Sequence, residues 1–105
     1  MKCTTNLLAL ILLTAISYPS FAGEREDIIA RCRAQMGEYG SAMVKACVDQ
    51  DIESLNALAS YPEKAKPFIA RCHQQMAEYG WAMVKACTDQ DIEAEKALGG
   101  YREEP

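Results

Sequence analysis

The sequence predicts an all-α protein of two tandem helical hairpins, each stapled by a disulfide, that together form a small four-helix unit. Three observations lead there. The chain repeats itself with a period of forty residues. Within each copy, apolar residues recur at steps of three and four, with no two-residue alternation. Each copy also encloses a Tyr-Gly turn between two cysteines in a Cys-x14-Cys arrangement.

Met1–Ala22 has the layout of an export signal. Lys2 and the α-amino group give a positive start, and Leu7–Ile16 is an uncharged run of ten, too short for a stable membrane anchor. Ser17-Tyr18-Pro19 breaks the run, and Ser20 and Ala22 supply small residues at the −3 and −1 positions of a cleavage site. Cys3 does not follow a lipobox-like sequence, which argues against lipidation. Residues 1–22 are therefore expected to be a signal peptide, and the mature chain to be periplasmic or secreted, with no later membrane span. Of 105 residues and five cysteines, 83 residues and four cysteines follow the leader. The formal charge is −4 for the whole chain and −5 without the leader. So short a chain is one domain at most, and its core is marginal unless something staples it.

The duplication defines the remaining units. Ile29-Ala30-Arg31-Cys32 recurs as Ile69-Ala70-Arg71-Cys72, and Ala42–Cys47 as Ala82–Cys87. Between 28–64 and 68–104, 24 of 37 positions are identical. Each copy should be one supersecondary unit, the first covering residues 23–61 and the second 62–105. Ser60–Pro67, with two prolines, is the expected connector.

In the first copy, Glu24, Glu26 and Asp27 stand in the opening turn of a helix, where acidic groups favour the dipole. Ile29, Cys32 and Met36 share a face, and Val44, Val48, Ile52 and Leu55 form a second stripe. Gly40 and Gly80 are positioned as left-handed helix stops. One long helix per copy is an alternative, because Ile29, Cys32, Met36, Tyr39 and Met43 keep a heptad rhythm. The cysteines favour the hairpin. They lie symmetrically about the Tyr-Gly turn, so folding there brings them within disulfide reach, whereas a continuous helix holds them about 22 Å apart. The duplication then favours Cys32–Cys47 and Cys72–Cys87.

Four cysteines in a short exported chain read first as a disulfide framework. Each predicted bridge closes a loop of about 15 residues, worth about 3 kcal/mol in the chain-entropy model. A redox catalyst would need a closer pair such as Cys-x-x-Cys. The i,i+4 pairs Cys32/Met36, Met43/Cys47, Cys72/Met76 and Met83/Cys87, with His73 nearby, allow an alternative as a periplasmic soft-metal (copper) binding protein. Core packing accounts for the same residues, so no metal or other cofactor is expected. Asp49-Gln50-Asp51-x-Glu53 lacks the glycine and terminal glutamate of a calcium loop and is expected to be a solvated acidic face.

No Ser/His/Asp set recurs in both copies, and His73 is Arg33 in the first copy, so no catalytic residues are expected. Acidity and scarce basic clusters exclude nucleic acid as the expected partner. The differences between copies point instead to a protein partner. Val48, Leu55 and Ala59 become Thr88, Glu95 and Gly99, as if the last helix faced solvent like a capping repeat. Ser41 becomes Trp81, the single tryptophan. Trp81, Tyr39 and Tyr79 at the turns are the candidate contact residues; for Trp81 this requires exposure, and coverage of the core end is the stronger expectation.

The Cys-x14-Cys run enclosing Met-x2-Tyr-Gly-x2-Met-Val-Lys and followed by Asp-Gln-Asp-Ile resembles a motif of small exported bacterial proteins of uncharacterised function. It covers Cys32–Ile52 and Cys72–Ile92, about half of the mature chain. The resemblance implies a stapled helical hairpin and carries no activity. The chain is more loosely similar to the twin-cysteine helical hairpins of mitochondria, but it has one cysteine per helix and wider spacing.

Overall fold

Helix-favouring acidic residues and an i,i+4 apolar line wind Phe21–Met36 into α1, with Glu24 in its first turn and Arg33 in its last. A single 3-10 turn, Gly37–Tyr39, leads to α2 (Ser41–Ala59). The second copy repeats the plan as α3 (Lys66–Met76), a 3-10 turn at Ala77–Tyr79 and α4 (Trp81–Arg102). The structure is a computed structural model that describes residues 21–102, and side-chain surroundings from residue 23 to residue 100. Met1–Ser20, which carries most of the expected leader, lies outside the described residues. Among the described residues there is no strand, and no helix is long and apolar enough to cross a membrane.

The hairpin, not the long helix, is the fold of each copy. Gly40 has φ 103° and ψ 164°, and Gly80 has φ 102° and ψ 168°. The left-handed stop expected there therefore takes a different form. The sign of φ agrees, but the extended ψ belongs to a region that is essentially reserved for glycine. Each glycine ends one helix and starts the next. Gly40 N–H donates to Gly37 O at 3.1 Å, while Gly40 O accepts from Val44 N–H at 3.2 Å. This break turns α1 back along α2 and interrupts the heptad.

Two disulfides close the hairpins. Cys32–Cys47 joins α1 to α2 with the Cα atoms 5.8 Å apart, and Cys72–Cys87 joins α3 to α4 at 5.7 Å. Both pairings are the ones the duplication favours. The bridges sit at the centre of the packing, with Cys32 and Cys72 fully buried.

The connector is shorter than the prolines imply. After Ser60–Pro62, Glu63–Ala65 forms a 3-10 turn and α3 starts at Lys66. Pro67 falls in the first turn of that helix, where its missing N–H costs no hydrogen bond. The hairpins pack mainly through α2 against α4. Leu58 of the first copy joins Cys72 and Val84 of the second in the central apolar cluster, flanked by Tyr61, Ile69, Met76 and Trp81.

Three expectations about burial are corrected. Ile29 is exposed, and its neighbour Ile28 is the buried residue that shares the i,i+4 line with Cys32. Thr88 is fully buried, not solvent-facing. Its hydroxyl donates to Val84 O at 2.8 Å, one turn back, so a polar side chain fits the core without an unpaired group. Asp51, expected on a solvated face, is also buried. The prediction for the end of α4 agrees better, since Glu93 through Leu98 are all exposed.

Candidate functional site

Asp51 organises the junction between the two copies. It projects from α2 onto the start of α4, where the first N–H groups of a helix lack intrahelical partners. Its Oδ2 accepts from Trp81 N–H at 2.9 Å and its Oδ1 from Ala82 N–H at 3.1 Å. Arg31 of α1 donates from Nη2 to the same carboxylate. The carboxylate thus gains an ion pair, two charge-assisted hydrogen bonds and a favourable helix dipole. Gly80 makes room for this. A Cβ there would lie 2.5 Å from Arg31 Nη2 and 2.8 Å from Asp51 Oδ2.

The forty-residue repeat supplies a second copy of the pair. Arg71 donates to Asp91 in the same way. That pair is largely open to solvent, and among the described residues no helix start lies over it. Arg31 and Asp51 are the functional residues that the sequence pattern left unassigned, while Gly80, expected only as a helix stop, also makes room for them. The signal that marks them is an Arg-x19-Asp spacing present in both copies.

Trp81, a candidate contact residue, stands at this junction and is partly buried. Its ring stacks on His73 with centroids 4.7 Å apart, and Nε1 donates to Glu24 Oε1 at 3.2 Å. These contacts join both copies around one indole. Tyr39 and Tyr79, on the two turns, are 64% and 54% exposed.

Tyr79 shares an open groove of about 300 Å3 with Met36, Met43, Met83 and the Cys47 end of a disulfide. Met43 and Met83 are themselves exposed. The groove therefore crosses from the first copy to the second, and its three thioethers and one tyrosine stand among polar side chains, Arg31, Gln35, Gln50 and Asp51. Thioethers make adaptable contacts with apolar partners.

The cysteines are committed elsewhere. Cys72, Cys87 and Asp91 place three potential ligand atoms within 4.8 Å of one another. Both sulfurs are in a disulfide, however, and carry no thiolate charge to hold a soft cation. The group becomes a set of metal ligands only after reduction.

A second polar cluster ties the connector to α4. Tyr61 Oη donates to Asp89 Oδ1, and Lys85 Nζ donates to Oδ2 at 2.9 Å. Burial alone would raise the Asp89 carboxyl, but the hydrogen bonds from Tyr61 and Lys85 and the lysine charge outweigh it and hold the group below its ordinary value. Burial, then Asp89, raises the Tyr61 hydroxyl. In the first copy the corresponding Lys45–Asp49 pair, at 2.6 Å, lies in the open.

No protein family, curated protein or solved structure matches the chain.

Proposed function

We propose that the chain is an exported, non-catalytic structural or protein-interaction module whose contact face is the edge of the hairpin turns. The observation that carries this reading is the groove in which Tyr79, Met43 and Met83 stand exposed across both copies. Exposed aromatic and thioether groups gathered in one groove suit contact with an apolar partner surface. Tyr39 on the other turn and Trp81, next to the groove residue Ala82, complete the proposed contact set. Two disulfides support an oxidising compartment, in keeping with the leader-like start. The stapled hairpins fix the backbone that carries the face, so ordering at binding is confined to its side chains.

Comparative affinity capture from the exported fraction tests this. Wild-type chain is expected to enrich a protein that Tyr79→Ala fails to enrich, while the helical circular dichroism stays unchanged. Equal capture by both chains would overturn the assignment. The soft-metal alternative needs free thiols, so thiol counting on the purified chain separates the readings. Zero free thiols removes a thiolate site; four would remove the staples.

A further inference from the structure

We propose that the chain associates head to tail with further copies of itself, using between molecules the same junction that joins its two repeats. The internal junction is heterologous, because the first repeat contributes one face and the second a different one. Glu24, Ile28, Arg31, Asp51, Leu55 and Leu58 come from the first repeat. His73, Gly80, Trp81, Val84 and Ile69 come from the second. Each repeat should therefore carry both faces, and among the described residues only one of each is used. The first repeat keeps an uncovered receiving face, and the second an uncovered donating face.

The residues on these two faces are those of the internal junction moved by forty positions; most of them are exposed, while Val44, Phe68 and Asp91 are partly buried. Leu58 is 5% exposed inside the junction, whereas its counterpart Leu98 is 52% exposed. Ile69 packs on the central cluster, whereas Ile29 is exposed. Gly80 is buried and Gly40 is exposed, with the same positive φ. Asp91 repeats the Arg-paired carboxylate of Asp51, yet among the described residues no helix start lies over it. The start of α2, where Ser41 and Ala42 correspond to the amides held by Asp51, has no side-chain cap. Asp91 of one copy and the α2 start of the next thus supply the carboxylate and the N–H groups that meet within the chain.

The positions where the faces differ change in complementary ways. Leu55 and His73 line the same seam groove inside the chain. Their counterparts are Glu95 and Arg33, so the copy-to-copy seam would bring opposite charges together. Phe68 replaces Ile28 where Ser41 replaces Trp81, a larger side chain opposite a smaller one. Arg33 and Glu95 are both exposed in the single chain, so changing them leaves its core untouched. The occupant of both faces is a second copy of this chain, and because the contact is head to tail it propagates. Tyr79 itself takes no part in this contact, although the same forty-residue shift brings Met83 of one copy beside Tyr39 and Met43 of the next, so the seam and the groove proposed above share an edge.

Sedimentation of the purified chain over a concentration series up to about 1 mM tests the proposal, since weak contacts dissociate in that range. Wild-type mass is expected to rise with concentration. Arg33→Glu or Glu95→Arg alone places like charges across the seam and should weaken association about tenfold or more. In an equimolar mixture of the two variants, every junction between unlike chains again joins opposite charges, in the native sense at one junction and reversed at the next. The mixture should therefore restore association. Circular dichroism of each variant confirms that the hairpins remain folded. A wild-type chain that stays monomeric throughout overturns the proposal. So do single variants that associate like wild type, or a mixture that fails to recover. None of these results bears on partner capture through Tyr79.

Discussion

Arg31–Asp51 and Arg71–Asp91 are the same two side chains at the same spacing, yet they occupy different physical settings. In the first pair the side chains are 18% and 5% exposed; in the second, 48% and 29%. The second repeat folds over the first and removes water from its pair, while adding two backbone donors. Among the described residues nothing comparable covers the second pair. The difference shows that local sequence sets the pairing, whereas the neighbouring repeat sets its energetic weight. An exposed pair contributes about 0–1 kcal/mol, because solvent screens it and ordering two side chains costs entropy. Removing one partner of a buried pair costs about 3–5 kcal/mol, because a charge and its donors are left unpaired.

The sharpest way to break the comparison is to remove each carboxylate in turn. Asp51→Ala should destabilise the chain by about 3–5 kcal/mol, since Arg31 and the α4 amides lose their acceptor. Asp91→Ala should cost about 1 kcal/mol or less. Urea unfolding midpoints at equal slope measure both. Equal losses would mean that the cover supplied by the second repeat carries no weight.

The staples test whether the repeats also differ within themselves. Each bridge spans a sequence separation of 15, so loop closure predicts the same contribution, about 3 kcal/mol, from either. Replacing Cys32 and Cys47 together by Ala, or Cys72 and Cys87, should lower stability by similar amounts in thermal or urea unfolding. A gap of more than about 1 kcal/mol would locate the difference in packing, because Cys72 belongs to the cluster with Leu58 and Val84.

Much of this architecture is legible in the sequence, for a physical reason. Helical periodicity, cysteine symmetry and the Tyr-Gly turn are local or short-range signals, and the duplication states each of them twice. Contacts between repeats are a different matter. Asp51 reads as one more acid in a charged run, because nothing within its own copy shows that another helix begins above it. Ile28 and Ile29 are equally apolar neighbours, and only the direction from which α4 approaches decides which is buried. Thr88 looks like a loss of core because a hydroxyl satisfied by its own helix is invisible to hydropathy. Trp81 stands out in the sequence as the largest difference between copies, but its His73 and Glu24 contacts depend on the junction.

The two turn glycines offer a smaller contrast. Both have positive φ, so alanine at either should cost about 1–3 kcal/mol in backbone strain. At Gly40 a Cβ meets nothing within 4 Å, whereas at Gly80 it runs into the Arg31–Asp51 pair. Gly80→Ala should therefore lose a further ~1–3 kcal/mol from overpacking. Combining it with Arg31→Ala should remove most of that excess, since the guanidinium that the new Cβ meets most closely is gone. A double-mutant cycle reads the coupling.

The smallest effect separates Lys85–Asp89 from Lys45–Asp49. Both are i,i+4 pairs, but only Asp89 also accepts from a tyrosine across the connector. Its carboxyl is held below the ordinary value when folded, so the stability it contributes is present above the unfolded value, about pH 4, and is lost as pH falls through the folded value. Asp89 is 45% exposed, which limits that contribution to about 1 kcal/mol or less. Tyr61 shifts the other way, and its raised hydroxyl contributes stability below about pH 10 that is lost as pH rises through the folded value. Unfolding of Asp89→Asn should therefore differ from wild type at neutral pH and converge with it in acid, while Asp49→Asn should change less. Tyr61→Phe removes the hydroxyl and should move the acid dependence of Asp89 toward that of its exposed counterpart. If it leaves the acid limb unchanged, the connector tyrosine does not set the difference between the two pairs, and Lys85 must account for it alone.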